Sequence, residues 1–217
     1  MRLKSSYLPP FGNYEGQLVP SVKPMMRKGA WNSDSDFDWE YIKSEWDHLA
    51  AECGKKFFIE ASPPNIMRVS SILSVFSQCA YVFSMSSPYS YIASHSYNYN
   101  HQKLPMDEMI EQATGKWIKK AYVQRLNIRT LGNSSNVITY EDFCVNPELL
   151  LEKLQINSSD IKDKYDEVQL EGKATTGISK IVNMLPKHLS FLGLRGILQV
   201  NKMLSQEIEL LEFFGYK

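Results

Sequence analysis

The sequence predicts an α/β domain built on a parallel sheet with helices on both faces. Short apolar runs of strand length alternate with longer stretches of helical apolar spacing, and that alternation requires crossover connections between parallel strands. Two of the runs lead into a serine followed by proline, Ser62-Pro63 and Ser87-Pro88, which is the chemistry of a helix start. The chain has 217 residues, 43% of them apolar and 22% charged, enough to bury one core.

The elements follow in order. Residues 1–37 are punctuated by Pro9, Pro10, Pro20 and Pro24 with Gly12, Gly16 and Gly29, and they read as an irregular segment ahead of an α/β domain over 38–217. From Asp38, a natural cap, Trp39, Ile42, Trp46 and Leu49 recur at helical spacing until Gly54. Phe57, Phe58 and Ile59 form a buried-strand run that ends at Glu60. Ser62-Pro63 then opens a helix with Ile66, Val69, Leu73 and Phe76 on its inner face. Residues 81–85, YVFSM, read as a second strand, and Ser87-Pro88 starts the next helix. A long amphipathic helix spans about 106–126, with Met109, Ala113, Trp117, Ala121 and Leu126 inward. Residues 136–140 make a third strand and 147–154 a short helix. Residues 155–190 are loop-like, and a helix over about 193–214 closes the chain.

Composition excludes several classes. Lys+Arg and Asp+Glu both total 24, so net charge gives no argument for nucleic acid or an anionic membrane, while a local basic pocket stays open. Cys53, Cys79 and Cys144 show no CxxC spacing and read as buried free thiols rather than zinc ligands or a disulfide framework. No run approaches the ~18 apolar residues of a membrane helix, and residues 1–10 lack a signal-peptide core, so a cytoplasmic protein is expected.

In parallel sheets, ligands bind outside the carboxyl ends of the strands. Three such ends are legible, at residues 60–65, 86–88 and 140–142. Two run straight into helix N-termini, whose free N–H groups favour anions, so the pattern is compatible with a phosphorylated or sulfated ligand as well as with ordinary caps. Glu60 suits a base or a capping carboxylate. Tyr140, Glu141 and Asp142 read as stabilisers of a strand end. His95 and His101 are further acid-base candidates, and Tyr89, Tyr91, Tyr97 and Tyr99 either line a cleft or pack.

Four segments, in order, resemble the PAPS-dependent sulfotransferases. They are residues 57–69 (FFIEASPPNIMRV), 81–95 (YVFSMSSPYSYIASH), 137–154 (VITYEDFCVNPELLLEKL) and the closing 213–216 (FFGY). The resemblance implies a three-layer α/β fold of P-loop type. It also implies transfer of a sulfuryl group from 3′-phosphoadenosine 5′-phosphosulfate (PAPS) to a hydroxyl or amine acceptor, a small molecule or carbohydrate, with neither nucleic acid nor membrane as partner. Carried over by position, Glu60 stands at the base, and Ser94 stands where the serine for the 3′-phosphate belongs. Ser86 occupies the place of the family's phosphate-binding arginine, and Ala61 that of a lysine. Lys173 falls in the region of a late phosphate-binding loop. The family's glycine- and serine-rich loop for the 5′-phosphosulfate has no counterpart, so the fold is expected to be N-terminally incomplete, with an exposed sheet edge that favours self-association. A catalytically inactive, sulfotransferase-like binding protein or a truncated gene product is the alternative expectation.

Overall fold

The computed structural model describes residues 37–52, 54, 63–76, 79–98, 104–156 and 183–216. These fall into two compact units, 37–79 and 80–216. The strand expected at 57–59, with Glu60, and the loop that holds Lys173 lie outside the described residues, as do His101 and Tyr99.

The first unit opens with helix α1, Trp39–Glu52. Asp38 caps it as expected, its Oδ1 accepting from the Tyr41 N–H at 2.9 Å. Gly54 lies beyond its end with a left-handed φ of 61°. The single helix expected from Pro63 is instead two pieces, a 3-10 turn at Pro63–Met67 and helix α2 at Val69–Val75. The interruption is Arg68, whose backbone (φ −127°, ψ 12°) leaves the helical region. The break shifts the phase of the inner face. Ile72, Val75 and Phe76 therefore pack on Phe37, Trp39, Ile42 and Trp46, whereas Leu73 is exposed. Arg68 itself is buried, its guanidinium 4.3 Å from the centre of the Phe37 ring.

The second unit contains a parallel pair, strand β1 at Tyr81–Met85 and strand β2 at Ser135–Thr139. Their register runs from Tyr81 opposite Ser135 to Met85 opposite Thr139. The crossover between them holds helix α3, Pro88–Asn98, and helix α4, Met106–Leu131. Helices α5 (Tyr140–Val145) and α6 (Glu148–Leu154) follow β2, and α7 (Leu185–Leu204) and α8 (Ile208–Phe213) complete the described chain. Parallel pairing across a helical crossover is the α/β character the alternation predicts. Among the described residues, helix predominates and the sheet has two strands.

Three boundaries differ from the sequence reading. α4 runs past Leu126 to Leu131, where Gly132 stops it with φ 52°, and Leu126 is 65% exposed instead of inward. Tyr140 belongs to α5 and not to β2, because the Thr139 hydroxyl caps that helix by accepting from the Asp142 N–H at 3.0 Å. The closing helix starts earlier, at Leu185, helped by Pro186 in its first turn. It is interrupted at Gly193 (φ 63°, ψ 178°) and divided from α8 by a turn at 205–207. Cys79 is an exposed free thiol beside β1 and Cys144 is half-buried, so neither is the fully buried cysteine expected.

α3, α4 and α7 pack together, and α4 also lies on both strands. Ile92, Ile110, Ala113, Trp117, Ala121, Val200 and Leu204 form the centre of this core. Gly196 lets α7 approach α4, since a Cβ there would stand 3.0 Å from Ile110 Cδ1 and 3.3 Å from Leu192 Cβ. Ile92 is fully buried whereas Leu198 on α7 is 59% exposed. Ile92→Ala is expected to cost about 2–5 kcal/mol, and Leu198→Ala to stay within about 0.5 kcal/mol of wild type. Urea unfolding of the two variants checks this ranking, and equal losses would mean that the core lies elsewhere.

Candidate functional site

The carboxyl ends of β1 and β2 lie side by side because the strands are parallel and Met85 is opposite Thr139. The turn after β1, at Ser86 and Ser87, therefore meets the turn after β2, where Tyr140, Glu141 and Asp142 begin α5. The contact is specific. Glu141 Oε1 accepts the Ser87 N–H at 3.0 Å, and its Oε2 accepts the Tyr216 hydroxyl at 3.1 Å. The indole of Trp117, from α4, donates through Nε1 to the Ser86 carbonyl at 3.1 Å, and its ring stands edge-on to Tyr216 with centroids 6.5 Å apart. A carboxylate accepting two hydrogen bonds thus holds three chain segments distant in sequence.

The electrostatics follow from this junction. Burial pushes the Tyr216 hydroxyl far above its ordinary pKa, and the charge of Glu141 together with the hydrogen bond to it adds to the rise. His188, in the first turn of α7, is held below the usual histidine range, first by burial and then by Lys187, while Glu141 pulls the other way. Of the N–H groups at the start of α3, that of Ser87 is already bonded to Glu141.

The candidates from sequence are divided by the structure. Ser86 is half-buried at the junction, its carbonyl taken by Trp117. Ser94 is half-buried two turns along α3, next to His95. Glu60 and Lys173 lie outside the described residues. The tyrosines serve separate ends: Tyr89 donates to Asn201 Oδ1 at 2.6 Å, Tyr91 stacks with His95, and the exposed Tyr97 leans on Phe191. Trp117 and Tyr216 as polar members of the junction were not singled out from sequence, which read Trp117 as core and Tyr216 as part of a closing FGY. The resemblance of the YED and FGY segments to one family was the available signal.

A cleft of about 200 Å³ lies elsewhere, between the second half of α4 and the start of α8, lined by Tyr122, Arg125 and Glu207 among others. In its lining the Tyr122 hydroxyl donates to Glu207 Oε2 at 2.6 Å. Among the described residues no group of three metal-binding side chains occurs, and no helix is long and apolar enough to cross a membrane. No family model matches the chain, and no match was found among curated proteins or solved structures.

Tyr216→Phe removes one bond of the junction and should cost about 0.5–1.5 kcal/mol near neutral pH, and Glu141→Ala, which strands two donors, about 1–3 kcal/mol. The pH dependence has a definite sign. The folded pKa of Tyr216 is raised, so its contribution is fully present below the unfolded value of about 10 and is lost as pH rises beyond it. The stability gap between wild type and Tyr216→Phe should therefore narrow between pH 9 and 11 in denaturant titrations. Parallel profiles across that range would show that the hydroxyl is not held as described.

Proposed function

We propose that this chain is a sulfotransferase-like protein on a three-layer, P-loop-type α/β fold, acting on a hydroxyl or amine acceptor with PAPS as the sulfuryl donor. The observation that supports this most is the meeting of three of the four sulfotransferase-like segments at one carboxylate. Glu141, of the YEDF segment, bonds Ser87 of the SSP segment and Tyr216 of the closing FGY. Segments that recur together in a family are expected to meet in space, and fold likeness without such a site would carry little weight.

In the reaction, Glu60 takes the acceptor's proton as the acceptor oxygen or nitrogen bonds to the sulfur. The bond from sulfur to the 5′-phosphate oxygen breaks, and 3′-phosphoadenosine 5′-phosphate leaves. Such in-line transfer depends mainly on positioning and on offsetting charge. Ser94 and Lys173 are the groups proposed to face the nucleotide's phosphates, with Ser86 at the position of the arginine.

One observation favours a second reading, an inactive sulfotransferase-like binding protein. Ser86 supplies no cation where the resemblance implies one, and the polar backbone around it is committed to Trp117 and Glu141.

Transfer of labelled sulfate from PAPS to a panel of sugars and amines separates the two. Under the first reading wild type transfers label, and Glu60→Gln slows it by about 100-fold or more while leaving nucleotide binding intact. No transfer by wild type supports the second reading. Ser86→Arg tests the alignment in either case. A restored charge-assisted fork contributes roughly 1.5–3 kcal/mol, so binding of 3′-phosphoadenosine 5′-phosphate should tighten by about 10-fold or more, and by more than binding of adenosine 5′-phosphate. An equal gain for both nucleotides would contradict the placement of Ser86.

A further inference from the structure

Away from the Glu141 junction, α7 turns an apolar ridge to solvent. Leu194 is 74% exposed and Leu198, one turn on, 59%. Phe191 is also exposed, and three residues of chain, a reach of at most ~11 Å, separate it from Leu194 across the break at Gly193. Tyr97, in the last turn of α3 and 71% exposed, extends the ridge by meeting the Phe191 ring edge-on with centroids 6.1 Å apart. One exposed leucine is ordinary, but a row of large apolar side chains marks a surface for interaction.

The charge around this ridge has one sign. α7 has no aspartate or glutamate in its 20 residues, and its exposed charges are Lys187, Arg195 and Lys202. Lys187 stands one turn before Phe191, Arg195 follows Leu194, and Lys202 stands one turn after Leu198. Arg195 is paired with Asp107 of α4, and among the described residues neither lysine is in an ion pair. The whole chain has no net charge, so this bracket of cations belongs to one face.

Charge and shape together choose the partner. Leucines this exposed project from the surface rather than line a groove, so they suit insertion into a soft interface better than capture of a peptide helix. A second copy docked on the same face through a two-fold axis would set the cations against their own counterparts. An anionic lipid surface takes both features: leucine and phenylalanine enter the headgroup boundary while the lysines stay among the headgroup anions.

We propose that the exposed face of α7, with Tyr97, docks this protein on the surface of a bilayer that contains anionic lipid. α7 lies on the bilayer without crossing it and keeps its inner side, Leu192, Gly196, Val200 and Leu204, in the core. The surface does not depend on the sulfotransferase reading, and it departs from the absence of a membrane partner that the resemblance implies.

Flotation of the full chain with vesicles tests this, phosphatidylcholine alone against phosphatidylcholine mixed with phosphatidylserine. The protein should float with the mixed vesicles at low salt, bind the others about 10-fold more weakly or less, and leave the mixed vesicles as salt is raised. Lys187→Gln/Lys202→Gln should weaken binding to the mixed vesicles by about 10-fold or more, and Leu194→Ser/Leu198→Ser by at least as much. Leu126→Ser, at a comparably exposed leucine on α4, should bind like wild type. Circular dichroism and melting should be unchanged in all three variants. Absence of flotation, equal binding to both vesicle types, or wild-type binding by Leu194→Ser/Leu198→Ser would overturn the proposal. A dimer that Leu194→Ser/Leu198→Ser dissociates, from a wild type that ignores both vesicles, would overturn it too and assign the face to a second copy.

Discussion

The carboxylate of Glu141 binds together three parts of the chain that are distant in sequence. Its two oxygens take the Ser87 N–H, at the entry to α3, and the Tyr216 hydroxyl, beyond α8. Each of these donors would otherwise be a polar group deprived of water and partner, so the arrangement is held by the cost of leaving it. Parallel pairing of β1 and β2 is the condition for the contact, since only that direction brings the two carboxyl ends to the same edge. Trp117 reinforces the same point from α4 by bonding the Ser86 carbonyl. The strand order, the crossover and the end of the chain thus converge on one residue.

That convergence has a consequence for anion binding. The start of α3 looks like an anion site in sequence, a strand end followed by serine, serine and proline. In the structure, an internal carboxylate already occupies the Ser87 N–H. A ligand phosphate at that point would have to displace Glu141 or sit beside its charge.

Much of this architecture was legible in the residues. The pattern of YVFSM fixes β1, with Phe83 and Met85 buried and Ser84 exposed between them, and serine-proline marks the start of α3. Asp38 ahead of a helical apolar period marks α1 in the same way. What escaped the sequence reading was decided by tertiary contacts or by single backbone angles. A break at Arg68 put Leu73 outside, and Gly193 interrupts α7 while the helix resumes beyond it. The sequence reads 140–142 as a strand-end stabiliser, but the partners of Glu141 are 54 and 75 residues away and no periodicity could name them. The Lys116–His95 contact is likewise invisible in sequence, because it depends on how α3 lies across α4.

The central claim is that Glu141 holds the Ser87 amide, and amide hydrogen exchange measures that bond directly. Ser87 N–H should exchange slowly in wild type, near the rate of core amides such as that of Ala121, even though it lies in a turn outside the helices and strands. In Glu141→Ala its exchange should accelerate by more than that of Ala121, reporting a local loss beyond any general fall in stability. Rapid exchange of Ser87 in wild type, or an acceleration in the variant no greater than that of Ala121, would contradict the account.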